Sequence, residues 1–91
     1  MKYGKPDANQ PEIVKLLHQI PGVSVQISTV LGGGFPDLIV AYNRETFLFE
    51  IKVPGGKLNA LQEVFHKEWN GIVYTVESIE QILDILGIKY V

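Results

Sequence analysis

The chain has 91 residues, of which 46% are hydrophobic and 20% charged, and its formal net charge at pH 7 is −2. This length predicts one domain spanning residues 1–91, with residues 1–8 as a flexible polar tail. The composition argues against disorder, and the absence of cysteine excludes disulfides and thiolate metal sites. No apolar run suits a membrane span or a signal peptide, so we expect a cytoplasmic protein.

The first third of the chain predicts one helix, one strand and one loop. Asn9 and Glu12 have the spacing of a capping box, and helical periodicity continues from there to Pro21. Residues 23–27 alternate between apolar and polar, which predicts a half-exposed strand at the periphery. Residues 31–36 contain three consecutive glycines and a proline, so they predict an irregular loop.

The middle of the chain predicts a hairpin. Residues 37–42 form an apolar run rich in residues that favour strands. Asn43 and Arg44 suit a two-residue turn, and residues 46–53 predict a third strand that is apolar on both faces over most of its length. We therefore expect the third strand to be central.

The last third predicts a helix, a strand and a second helix. Asn59, with Gln62 three residues later, predicts the start of a helix that ends at Asn70 and Gly71. Residues 72–76 predict a buried fourth strand, and Ser78 predicts the start of a last helix that Gly87 ends. The order αβββαβα predicts an α/β fold with a central mixed four-stranded sheet flanked by helices.

Register in the predicted hairpin brings two acidic residues together. If the hairpin is centred on Asn43 and Arg44, Asp37 lies opposite Glu50 on the neighbouring strand. Directly opposed side chains of antiparallel strands lie roughly 5 Å apart, and like charges there are destabilising. Strand alternation places Lys52 on the same face as Glu50. This arrangement predicts a site for a divalent cation such as Mg²⁺, which binds one or two carboxylates together with water and phosphate.

Two carboxylates, a cation and an amine favour phosphodiester hydrolysis over other chemistries. The chain has no cysteine nucleophile and no Gly-x-Ser-x-Gly motif, and Leu58 follows Lys57 where a phosphate-binding loop requires Ser or Thr. The alternative is that Glu50 and Lys52 form a structural ion pair. Against this alternative, Glu50 lies among apolar residues, where an unpartnered charge is costly.

Pro36-Asp37 followed by Glu50-Ile51-Lys52 resembles the signature of the PD-(D/E)XK nucleases. The flanking pattern is similar to that of the virus-type replication-repair nuclease domain, VRR-NUC, and the resemblance covers most of the chain. The matching segments are residues 9–14, 34–40 and 57–62, with Ser78. The resemblance implies a restriction-endonuclease-like αβββαβ core, to which this chain adds a C-terminal helix.

The resemblance also implies roles for individual residues. Asp37, Glu50 and the main-chain carbonyl of Ile51 are expected to bind Mg²⁺ or Mn²⁺, and Lys52 is expected to be the catalytic lysine. Glu12 and Gln62 match a helix glutamate and a glutamine that assist such sites. The alternative for both is helix capping, Glu12 with Asn9 and Gln62 with Asn59.

Three further residues are candidates for DNA contact. Gly33 and Gly34 would let the backbone approach DNA beside Asp37, and Lys57 would contact phosphate. The alternative for the glycines is a loose surface loop. His66 lies one turn after Gln62, but a surface histidine is the favoured interpretation.

Together these features predict a metal-dependent DNA endonuclease, selective for branched DNA and similar to Holliday-junction resolvases. A net negative charge argues mildly against DNA binding, so we expect the bound cation to be required for it. Cutting a junction symmetrically requires two active sites, which predicts a homodimer. A bacterial or phage-infected cell is the expected setting. The alternatives are a restriction-like or single-strand nuclease of the same superfamily and a non-catalytic DNA-binding module with this fold.

Overall fold

The computed structural model describes residues 9–89. Its helices and strands are α1 (Asn9–His18), β1 (Val23–Ile27), β2 (Leu38–Tyr42), β3 (Glu45–Ile51), α2 (Ala60–Glu68), β4 (Val73–Val76) and α3 (Ile79–Leu86). The predicted order and the α/β class are confirmed, and a single 3₁₀ turn at Thr29–Leu31 adds to them. The predicted flexible tail, residues 1–8, lies outside the described residues. Within residues 9–89, no helix has the length and apolar character needed to cross a membrane.

The four strands form one mixed sheet in the order β1-β2-β3-β4. β2 pairs antiparallel with both β1 and β3, whereas β4 pairs parallel with β3. The parallel pair requires a crossover connection, which α2 provides. β3 is central, as predicted. The expectation of a buried fourth strand is wrong, because β4 lies at the sheet edge and its Thr75 is exposed.

The β2–β3 hairpin has the register that the sequence predicts. Asn43 and Arg44 have φ angles of 56° and 70°, which a two-residue turn of the hairpin type requires at both positions. Leu38 pairs with Phe49, so Asp37, one residue before β2, lies across from Glu50. β2 begins one residue later than predicted, and β3 ends at Ile51. The Lys52 amide nevertheless donates to the Val76 carbonyl at 2.8 Å, which extends the pairing with β4 by one step.

The main hydrophobic core lies on one face of the sheet, beneath α1 and α3. Its fully buried side chains include Leu17 of α1, Ile82 of α3 and Phe49 of β3. Apolar residues that recur along one side of α1 and of α3 face this core. Ser78 accepts a hydrogen bond from the Gln81 amide at the start of α3, and Gly87 ends the helix in the left-handed conformation, both as predicted.

α2 lies on the opposite face of the sheet. Its Gln62 contacts Glu50 on β3. Because successive side chains of a strand point to opposite faces, Glu50 lies on the face opposite its neighbour Phe49, which belongs to the core. None of the nine residues of α2 is fully buried. Phe65 and Trp69 stack on each other with ring centroids 5.1 Å apart, and Phe35 contacts both edge-on. Phe65 and Trp69 therefore pack against each other and Phe35 rather than in the main core, and the Trp69 side chain is 43% exposed.

Candidate active site

The loop between β1 and β2 positions Asp37. The buried hydroxyl of Ser28 donates to the Pro36 carbonyl at 2.8 Å, and the Ser28 amide donates to the Asp37 carbonyl at the same distance. These bonds close the glycine-rich loop at its base. The Asp37 carboxylate in turn accepts a hydrogen bond from the Ile51 amide at 2.8 Å, so it is held at the end of β3.

Glu50 is the most buried charged residue that the structure describes, with 1% of its surface exposed. Its Oε2 accepts a hydrogen bond from Gln62 Nε2 at 2.9 Å. Its Oε1 is buried and has no hydrogen-bond partner within residues 9–89. A buried polar atom without a partner costs roughly 1–3 kcal/mol, and more when it is charged. The structure thus leaves one strong hydrogen-bond acceptor unsatisfied near the C-terminal end of β3.

The electrostatics of the pair follow from this burial. Burial is the main cause that raises the pKa of Glu50 from 4.5 to about 8, and the neighbouring Asp37 carboxylate contributes to the same rise. The positive charge of Lys52 acts in the opposite direction. Because two like charges at this spacing resist ionising together, the metal-free pair holds a proton near neutral pH.

A cavity of about 210 Å³ opens onto these groups. Five of the predicted site residues line it together: Asp37, Glu50, Ile51, Lys52 and Gln62. Val53 lines the same cavity. Asn9 and Gln10, from the first turn of α1, also line it, and neither residue was predicted to belong to the site. Although residues 9–14 belong to a matching segment, the packing of α1 on the sheet is what brings Asn9 and Gln10 to the cavity.

Gln62 both caps α2 and contacts the site, which are the two roles that the sequence left open. The Asn59 side chain accepts from the Gln62 amide, and the Gln62 side-chain oxygen accepts from the Asn59 amide, each at 2.9 Å, which forms a capping box. The remaining Nε2 of Gln62 donates to Glu50. Because the cap fixes the oxygen of the amide, the nitrogen points toward the carboxylate.

Glu12 does not line the cavity, although it lies half-buried on α1. The predicted capping box with Asn9 is also absent from residues 9–89, where the side-chain Nδ2 of Asn9 instead donates to the Glu77 carbonyl at 3.3 Å. This bond ties the start of α1 to the segment before α3. The role of Glu12 in the site stays a prediction, as do the DNA contacts of Lys57, an exposed loop residue.

Gly33 and Gly34 differ in their surroundings, although both were predicted to let the backbone approach DNA. Gly33 is exposed, and a Cβ there would meet nothing within 4 Å. A Cβ at Gly34 would overlap the Leu61 carbonyl, so this glycine permits the loop to touch the first turn of α2. Gly34 therefore links the loop that carries Asp37 to the helix that carries Gln62.

Gly34→Ala is expected to lower the free energy of unfolding by about 2–4 kcal/mol, because it combines a φ of +84° with a backbone clash. Gly33→Ala, with a φ of +62° and open space, is the matched control and is expected to cost about 1 kcal/mol. Urea unfolding followed by circular dichroism measures both values. Equal losses would show that the contact with Leu61 contributes nothing.

His66 lies near Lys52 and is not the surface histidine that the sequence predicts. It is half-buried rather than on the surface, and its Nε2 is buried without a hydrogen-bond partner within residues 9–89. Burial lowers the pKa of His66 below 6.5, and the charge of Lys52 lowers it further. The imidazole is therefore neutral at pH 7, and it reports on the position of Lys52.

The donor set suits a hard divalent cation. Residues 9–89 contain no group of three or more His, Cys, Asp or Glu side chains arranged as a metal site. Mg²⁺, however, is usually bound through one or two carboxylates, with water and substrate phosphate completing its coordination. A pair of facing carboxylates with one unsatisfied buried oxygen meets that requirement. Neither the known family models nor the curated proteins nor the solved structures include a match to this chain.

Proposed function

We propose that this protein is a metal-dependent DNA endonuclease that hydrolyses phosphodiester bonds. The observation that carries the proposal is the unsatisfied buried oxygen of Glu50, beside Asp37 and in one cavity with Lys52. A purely structural carboxylate at this depth would be expected to have all its acceptors satisfied. The shared cavity also supports the resemblance to the VRR-NUC domains, and we propose that the sheet with α1 and α2 is a restriction-endonuclease-like core.

Asp37, Glu50 and the main-chain carbonyl of Ile51 would hold Mg²⁺ or Mn²⁺. When bound, such an ion activates water for attack and neutralises charge on the phosphate. The chain itself supplies orientation, because Gln62 fixes one oxygen of Glu50 and the Ile51 amide fixes one oxygen of Asp37. The Lys52 ammonium provides a positive charge at the phosphate, where negative charge increases during hydrolysis.

The preferred substrate is proposed to be branched DNA, cut by a homodimer with two active sites. The decisive experiment compares cleavage of labelled four-way junction, flap, duplex and single-stranded DNA with Mn²⁺ and with chelator. Junction cleavage that requires Mn²⁺ is expected, and Asp37→Asn, purified in parallel, controls for contaminating nuclease. Preference for duplex or single-stranded DNA would favour a restriction-like or single-strand nuclease. Absence of cleavage on all four substrates would favour a binding module.

DNA affinity is expected to depend on a divalent cation, because the chain has a net charge of −2 and two of its carboxylates lie in the site itself. Gel-shift titration of junction DNA should give at least tenfold tighter binding with Ca²⁺ than with chelator. Glu50→Gln is expected to reduce that difference. Equal affinity with Ca²⁺ and with chelator would contradict the proposed cation bridge between the carboxylates and DNA.

A further inference from the structure

Three residues with side-chain amides line the candidate cavity: Asn9, Gln10 and Gln62. The nitrogens of two of these amides are already engaged, because Asn9 Nδ2 donates to the Glu77 carbonyl and Gln62 Nε2 donates to Glu50. Gln10 is half-buried, and its side chain makes no hydrogen bond within residues 9–89. Gln10 therefore carries the amide of this cavity that is available to a ligand.

The start of α1 adds positive potential beside the Gln10 amide. Asn9 and Gln10 are the first two residues of this helix, and both line the cavity. The first N–H groups of an α-helix have no partner within the helix, and the aligned peptide dipoles give this end a partial positive charge that favours phosphate. A separate observation also points to a ligand here, since the buried Oε1 of Glu50 has no partner within the described residues.

The cavity combines groups that suit a cation with groups that suit an anion. Asp37 and Glu50 supply carboxylates, whereas Lys52 and the start of α1 supply positive charge and N–H donors. A cation by itself has no use for N–H donors. A phosphate group bound to a cation, by contrast, keeps oxygens that accept hydrogen bonds from donors around it. The lining of the cavity therefore matches a cation together with a phosphate group.

We propose that Gln10 is a substrate-positioning residue, whose side-chain Nε2 donates a hydrogen bond to an oxygen of a phosphate group in the cavity. The contact comes from α1 and holds the phosphate beside the carboxylates and Lys52. That this phosphate is the scissile group of DNA rests on the proposed function. The alternative is that the oxygen of the same amide binds the cation directly, and the experiments below separate the two.

Titration with inorganic phosphate and Mg²⁺, followed by NMR, tests the contact without DNA or catalysis. The side-chain NH₂ signals of Gln10 should shift in the wild type. Gln10→Glu should weaken phosphate affinity at least tenfold, because a negative charge replaces a donor, and glutamate is favourable in the first turn of a helix. Gln26→Glu is the matched control, since Gln26 is exposed on β1 and does not line the cavity. Unchanged Gln10 signals, or equal affinities of the two variants, would overturn the proposal.

Separate DNA and cation titrations identify which end of the Gln10 amide is used. Gln10→Ala is expected to weaken binding of four-way junction DNA in Ca²⁺ about tenfold, because one hydrogen bond to a charged group is lost. It should leave the Mn²⁺ affinity of the DNA-free protein unchanged by calorimetry. A lowered Mn²⁺ affinity would show that the amide oxygen binds the cation, and would overturn the proposal. A wild type that binds phosphate through Gln10 but cleaves no DNA would instead contradict the proposed nuclease activity alone.

Discussion

Glu50→Gln is expected to make the metal-free protein more stable while it removes nuclease activity. Glutamine has nearly the shape of glutamate but cannot ionise, so the substitution removes the cost of keeping this buried carboxyl protonated below about pH 8 and ionised above it. Cleavage with Mn²⁺ should fall by about 10²-fold or more, because one of the two carboxylates proposed to bind the cation is lost. A purely structural glutamate would not show opposite effects on stability and activity.

The sign of the pH dependence follows from the raised pKa of Glu50. Below pH 4.5 the carboxyl is protonated in both the folded and the unfolded chain, so its charge costs nothing. Between pH 4.5 and about 8, the unfolded chain releases this proton while the folded protein keeps it, and the free energy of unfolding falls. At about 1.4 kcal/mol per pKa unit, the full loss is about 5 kcal/mol and is complete above that window.

Chemical unfolding in chelator, at several pH values from 4.5 upward, measures this effect. Glu50→Gln should lack the fall in stability and should exceed wild type above pH 8. Glu45→Gln is the matched control, because Glu45 is exposed on the same strand and should follow the wild-type curve. Adding Mn²⁺ should stabilise wild type and not Glu50→Gln. If Glu50→Gln is less stable than wild type above pH 8, the ionised Glu50 carboxylate does not destabilise the metal-free protein.

Lys52→Ala is expected to lower the single-turnover cleavage rate by about 10²–10⁴-fold, because it removes the only lysine that lines the described cavity. Folding stability should change little. Lys57→Ala is the matched control, since Lys57 is exposed on the following loop and does not line the cavity. Lys57→Ala should weaken DNA binding and reduce its salt dependence, and it should change the single-turnover cleavage rate by less than about tenfold.

A measurement that needs no catalysis checks the placement of Lys52. The charge of Lys52 contributes to the lowered pKa of His66, after burial as the larger cause. In Lys52→Ala the pKa of His66, followed by NMR titration, should therefore rise part of the way toward 6.5. If cleavage and the titration of His66 are both unchanged in Lys52→Ala, Lys52 has neither the role nor the position assigned to it.

Local patterns in the sequence were sufficient for most of the fold. Asn43 and Arg44 determined the hairpin turn, and with it the register that places Asp37 across from Glu50. Asn59 with Gln62 predicted the start of α2, because capping depends on residues only three positions apart. Strand boundaries shifted by one or two residues, since the ends of a ladder depend on neighbouring strands.

The position of each strand in the sheet, and the surface against which each helix packs, could be known only from the tertiary structure. Val73 and Tyr74 have the apolar character of a buried strand, but β4 lies at an edge because only β3 pairs with it. Phe65 and Trp69 have core spacing, but α2 packs on the face opposite the main core. Apolar spacing shows that a helix has an apolar side, whereas long-range packing determines what that side meets.

The sequence by itself determined the α/β class and the hairpin register, and with that register the proximity of Asp37, Glu50 and Lys52. These features follow from interactions within single elements and one hairpin. The tertiary structure alone decided which residues complete the cavity and which acceptor is left without a partner. Asn9 and Gln10 join the cavity, and Glu50 Oε1 stays unsatisfied, through contacts between elements far apart in sequence. Such contacts depend on how whole elements pack, and no short pattern of residues encodes them.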